Sequence, residues 1–186
     1  MARNTLSRSL HDLGLSAWFG GTLANAVALN AAASEAGGDT GRVANEGWNR
    51  WTPVNALAIG AHLVGSVGQL KANRGRVAQQ QGVAGMSALK TLLTAAALGV
   101  TAYSRALGQK VNSADNPRAR SGTKPTKLTK AEIADAMEQL DRLQWVVPAL
   151  TGALVVVSSY AGEQQRASEV VKGIAEKDSS AGLTVG

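Results

Sequence analysis

Cysteine is absent, which removes disulfide frameworks, thiolate zinc sites, iron–sulfur clusters and cysteine nucleophiles in one step. Histidine occurs only at His11 and His62, in different segments, and no group of carboxylates lies inside an apolar stretch to complete a site. No metal centre is therefore expected. Aromatic residues are scarce: one Phe, two Tyr and four Trp leave too few rings for a base-stacking surface. Also missing are a Gly-x-Ser-x-Gly elbow, a Gly-x-x-x-x-Gly-Lys-Ser/Thr phosphate loop and a Gly-x-Gly-x-x-Gly dinucleotide turn. The expectation is a protein that is not an enzyme, with no catalytic residue and no cofactor.

Acidic residues are outnumbered, 13 against 19 basic, for a net charge of +6. In a soluble domain that balance would put nucleic acid first among partners. The distribution points elsewhere. Basic residues gather between uncharged stretches, as Lys71, Arg74 and Arg76 do, and again as Arg118, Arg120, Lys124, Lys127 and Lys130 do. Loops beside anionic lipid headgroups have this pattern. A soluble basic helical bundle binding nucleic acid through Arg118 to Lys130 is the reading it displaces to an alternative.

What the chain does have is four uncharged or nearly uncharged stretches: Leu13 to Ala33, Trp51 to Leu70, Val83 to Ser104 and Gln144 to Gly162. Each is close to the ~20 residues with which a helix crosses a bilayer core. The first exceeds the ~7–15-residue apolar region of a cleaved signal and reads as a spanning helix. The expected fold is all-α: a four-transmembrane-helix bundle forming a single membrane domain over residues 1–186, multi-pass in the cell membrane. A loop over 105–130, an amphipathic extension before the fourth helix and a polar tail over 167–186 complete it. Ala17 with Gly21, and the row Gly20, Ala24 and Ala28, predict close approach of a partner helix, since helices in lipid associate through small residues.

Local signals place the ends. Thr52-Pro53 predicts the start of the second helix, with proline in the first turn. Thr129 to Glu132 reads as a capping box opening a helix that runs from Ala131 into the fourth stretch, with Ile133, Met137, Leu140 and Leu143 opposite Glu138 and Asp141. Turn-forming residues from Asn112 to Lys127 predict a mobile loop, and the tail predicts a short helix, Ala167 to Lys177, with a disordered end. Basic residues divide nine and ten between the two sides, so charge sets no orientation.

Each stretch also carries a polar stripe. Asn55, His62 and Gln69 recur at seven-residue spacing, with Ser66 beside them, and Gln144, Thr151, Ser158 and Gln165 repeat the pattern. His11, Trp18, Thr22 and Asn25 share a face, as do Ser87, Lys90, Thr94 and Thr101. In one reading the stripes hydrogen-bond across the bundle, at roughly 0.6–2 kcal/mol per contact. In the other they line a hydrated path or small-ligand site, where His62 exchanges protons and Lys90 supplies charge. The residues that would carry it are Asn25, Asn55, His62, Gln69, Lys90, Thr94, Thr151 and Ser158.

The words Leu13-Gly14-Leu15-Ser16-Ala17-Trp18-Phe19-Gly20-Gly21, Leu143-Gln144-Trp145-Val146-Val147-Pro148-Ala149-Leu150 and Gly162-Glu163-Gln164-Gln165-Arg166 span much of the chain. In them the chain resembles a family of uncharacterised actinobacterial small integral membrane proteins. That resemblance implies a bacterial membrane location with four spanning helices; the family has no assigned activity, so no site is transferred. The expected function is a structural or accessory component of a membrane complex or homo-oligomer, partnered by lipid and by no nucleic acid. The alternative is a small channel or transporter with a polar interior.

Overall fold

Proline occurs four times in the chain and Ala and Leu fill the uncharged stretches, so little opposes long helices. The computed structural model describes residues 4–114 and 116–182. Helix α1 (Thr5–Ala24) runs through a π turn (Asn25–Leu29) into α2 (Asn30–Ser34), and a 3-10 turn (Gly37–Asp39) leads to α3 (Thr40–Gln79). Helix α4 (Val83–Asn112) is followed by a small antiparallel ribbon, β1 (Ala119–Ser121) and β2 (Lys124–Pro125), then by α5 (Ala131–Glu163) and α6 (Ala167–Gly182). The all-α expectation holds. Of the four stretches, those in α4 and α5 make helices long and apolar enough to cross a membrane; among the described residues no other helix meets that measure. The positive tail containing Arg3, and residues 183–186, lie outside the described residues.

Several ends differ from expectation. Helix α3 starts at Thr40, leaving Pro53 well inside it. The residues before Thr52 are themselves helix-compatible, and Thr52 Oγ1 donates to the Trp48 carbonyl at 2.9 Å beside the gap that proline leaves in the ladder. No side chain caps α5: Lys130 holds the N-cap position, while Thr129 Oγ1 accepts from Thr126 N at 2.8 Å and donates to the Arg118 carbonyl. The ribbon has claimed the hydroxyl that a capping box needs. The loop expected over 105–130 is smaller, since Arg105 to Asn112 belong to α4 and the ribbon occupies much of the rest. Helix α6 continues past Lys177 to Gly182.

The helices that meet most closely are α1 and α3, through glycine. A Cβ on Gly14 would sit 2.4 Å from the Ala58 carbonyl oxygen and 2.5 Å from His62 N; one on Gly65 would sit 2.3 Å from His11 N. Each helix gives up a side chain where the other's backbone passes. The small-residue rows named from the sequence do less: Gly21 receives the Trp51 ring, but Ala17, Gly20, Ala24 and Ala28 face outward. Two apolar clusters hold the rest. Trp18, Ala58, Ala97 and Val147 join α1, α3, α4 and α5 at mid-bundle, and Leu107, Val111, Ile133, Ala136 and Met137 join α4 to the start of α5.

The ribbon is fixed by a buried hydrogen-bond chain. Thr123 Oγ1 donates to Asp141 Oδ1 at 2.6 Å, Gln144 Nε2 donates to the same oxygen at 3.0 Å, Asn30 Nδ2 donates to Gln144 Oε1 at 2.7 Å, and Trp48 Nε1 donates to Asn30 Oδ1 at 3.1 Å. Gly122 lies so near that a Cβ would stand 2.0 Å from Asn30 Oδ1. The expected mobile loop is thus a docked element.

At the other end, the buried Gln80 ties α6 to the turn between α3 and α4. Its Nε2 donates to the Gln164 and Glu169 carbonyls at 3.1 and 3.3 Å, and Gln81 N donates to the Gly173 carbonyl at 2.9 Å. Gln80→Ala is expected to lower amide protection across α6 by about 1–3 kcal/mol, read by hydrogen exchange, with α1 to α5 unchanged. Unchanged α6 exchange would show that the contact carries no weight.

Candidate functional site: the polar seam between α3 and α4

Helices α3 and α4 run antiparallel but barely touch; two cavities separate them. One of about 370 Å³ opens near the ribbon and is bordered by Trp48, Asn55, Thr101, Ser104 and Arg105, among others. The second, of about 390 Å³, opens near the α3–α4 turn and is bordered by Gln69, Asn73, Arg76, Ser87, Lys90 and Thr94, among others. Leu98 borders both. Ile59 lines the first and Leu63 the second, so an apolar neck lies between two chambers whose walls are mainly apolar with polar residues set among them.

The sequence period explains the chambers. On α3 the seven-residue row is longer than the three residues first identified: Trp48, Asn55, His62, Gln69 and Arg76 all fall on it, two in the first chamber, two in the second, and His62 between. Ser87, Lys90, Thr94 and Thr101 form the facing row on α4, broken by Leu98. Extending each period by one step, to Trp48, Arg76 and Arg105, would have found the residues that sequence reasoning missed.

His62 is fully buried. Its Nε2 lies 3.4 Å from Thr94 Oγ1 and its Nδ1 3.5 Å from the His11 carbonyl, both at the long limit of hydrogen bonding. The His11 ring stands 4.6 Å from the His62 ring, and its Nδ1 meets Asp12 Oδ1 at 2.7 Å. His11 is the pair's link to the solvent-facing Asp12. Arg76 donates to Gln80 Oε1 and to the Gln164 carbonyl at 2.9 and 2.7 Å, and burial together with nearby Arg8 lowers its guanidinium from the ordinary value.

Most stripe hydroxyls do not bond across the bundle. Thr22 donates to the Trp18 carbonyl at 2.7 Å, Ser66 to His62 at 2.7 Å and Thr151 to Val147 at 2.8 Å, each within its own helix. That is the route by which a hydroxyl satisfies itself when no partner helix offers an acceptor. Thr151 is fully buried and borders neither chamber; nor do Asn25 and Ser158, whose Nδ2 and Oγ are buried without a partner. Around the first chamber Trp51 Nε1, Asn55 Oδ1, Thr101 Oγ1 and Ser104 Oγ are likewise buried and unpartnered. Four unmatched polar atoms in the wall of one space carry a cost of about 1–3 kcal/mol each, which water or a polar ligand entering there would offset.

No protein-family model, no curated protein and no solved structure matches this chain.

Proposed function

We propose that the chain is a multi-pass integral membrane protein of four spanning helices that passes a small polar solute along the seam between α3 and α4. The membrane part of the reading is supported by burial. In the most apolar windows of α4 and α5 only 11% and 22% of residues are buried, the reverse of a soluble protein's core helix. Leu57, Val64, Leu92 and Val156 are 76, 62, 69 and 70% exposed on the outer surface, where lipid would cover them. Helix α3, about 60 Å long, overshoots a ~30 Å hydrocarbon core at both ends, and its polar ends are the parts left outside. Membership of the actinobacterial family rests on the matched words alone and belongs to the same proposal.

The observation that carries the transport reading is the facing of the two polar rows across open chambers, with unpartnered polar atoms of Trp51, Asn55, Thr101 and Ser104 in the wall of one of them. The Leu98 neck would act as a dewetting barrier of the kind that gates narrow pores. The test is solute flux in proteoliposomes after carbonate-resistant membrane retention is established. Leu98→Ala is expected to raise the flux and Asn55→Leu to lower it. Release into the soluble fraction would return the basic-bundle alternative, and absence of flux in both the native protein and Leu98→Ala would end the transport reading.

A second reading, an accessory or self-associating component, is supported by the outward row Gly20, Ala24 and Ala28, where a Cβ on Gly20 would meet nothing within 4 Å. A strictly monomeric mass in mild detergent, with no co-purifying partner, would remove it.

A further inference from the structure

Both chambers are bordered by basic and by no acidic residues, Arg105 in the first and two cations, Lys90 and Arg76, in the second. Arg8 stands at the rim of the second, its Nη2 donating to Gln165 Oε1 at 2.6 Å. Among the described residues Lys90 makes no ion pair. The one carboxylate whose charge reaches it, Asp12, is exposed and bonded to His11. Arg76 bonds only amide and carbonyl oxygens. Around the cations stand neutral donors, the amides of Gln69 and Gln164 and the hydroxyl of Ser87, while Thr91 Oγ1 donates to the Ser87 carbonyl at 2.9 Å.

A lysine inside a spanning segment costs about 2.5–3.5 kcal/mol at the helix centre and is normally balanced by a partner or by water. Lys90 lies seven residues into α4, about 10 Å from its start, and lines the second chamber. Side-chain carboxylates, which would balance it from within the chain, are absent from its chamber. An anion entering the chamber would supply the counter-charge that its lining lacks.

From this geometry we infer that the second chamber, which Lys90 and Arg76 both line, binds an anion, either a small free anion such as chloride or the phosphate of an anionic lipid headgroup. A space of about 390 Å³ takes either one with accompanying water. The inference deepens the transport reading by naming its solute class, and so rests on it, but the binding step is measured without flux.

The experiment uses the full chain, purified in neutral detergent. Chloride NMR line width reports free-anion binding, and native mass spectrometry reports retained phosphatidylglycerol. Lys90→Gln is expected to weaken whichever signal is present by about 10- to 100-fold, the loss of one charge-assisted contact. Lys90→Arg retains it, and Lys110→Gln, exposed at the far end of α4, leaves it unchanged. Chloride broadening sensitive to Lys90 identifies a free anion; lipid retention sensitive to Lys90 identifies a headgroup. If the native protein neither broadens chloride nor retains anionic lipid, or if Lys90→Gln changes neither signal while eluting as a folded species, the anion site is overturned. Should Lys90→Gln aggregate, the native protein and Lys90→Arg decide it: the signal in both supports the site, and its absence from the native protein overturns it. Flux of potassium or a neutral solute in preference to chloride, with no anion bound, would overturn the anion assignment and leave the path; anion binding without any flux would keep the site and end the path.

Discussion

Gly65→Leu is expected to unfold the α1–α3 pair in mild detergent, at about 3 kcal/mol or more, while Gly60→Leu on the same helix is tolerated within about 0.5 kcal/mol. The contrast follows from where the Cβ atoms would go. At Gly65 it would stand 2.3 Å from His11 N and 2.5 Å from the Ser7 carbonyl oxygen, both backbone atoms that move only if the whole helix moves. At Gly60 it would meet nothing within 4 Å. On the membrane reading proposed above, the association of α1 with α3 owes little to escape from water, so the lost close contact is not recovered elsewhere. Gly14→Leu should behave as Gly65→Leu does. Thermal unfolding followed by tryptophan fluorescence measures both, and Trp18 sits in the affected layer. Equal tolerance at Gly60 and Gly65 would mean that α1 and α3 do not pack as described.

The second large effect is expected at Asn30. Asn30→Ala removes both the donor to Gln144 and the acceptor for Trp48, leaving two polar groups of a mostly buried network unmatched. A cost of about 2–4 kcal/mol is expected from two such groups, together with faster exchange at residues 119–125, because Gln144 also orients Asp141 toward Thr123. Thr123→Val in the Asn30→Ala background should then add less than it does alone, the mark of a shared network. Full additivity, or an undisturbed ribbon, would show that Asn30 is peripheral to its docking.

The polar seam was half legible in the sequence. The row Asn55, His62 and Gln69 was visible because seven-residue spacing returns a side chain to the same helix face whatever surrounds it. That these residues face α4, and that Lys90 and Thr94 answer them, depended on which helix settles beside which. Asn25, Thr151 and Ser158 satisfied the same spacing and ended away from both chambers, since a stripe's period says nothing of the space in front of it.

Helix ends were the weakest part of the reading for a related reason. Thr129 has the right sequence for a capping box, yet its hydroxyl serves the ribbon, and Pro53 has the right neighbour for a helix start, yet lies inside α3. Caps compete with every other partner within reach, and those partners come from distant residues.

The sequence by itself determined that this protein is helical, where the apolar stretches run, and that each carries polar residues on one face. Those are properties of a few consecutive turns, and local periodicity encodes them. Only the tertiary structure decided that glycines join α1 to α3, that the ribbon is docked through Asn30 and Gln144, and that α3 and α4 stand apart around two chambers. Each of these depends on side-chain volume and hydrogen-bond geometry meeting across dozens of residues, which no spacing within one segment can express.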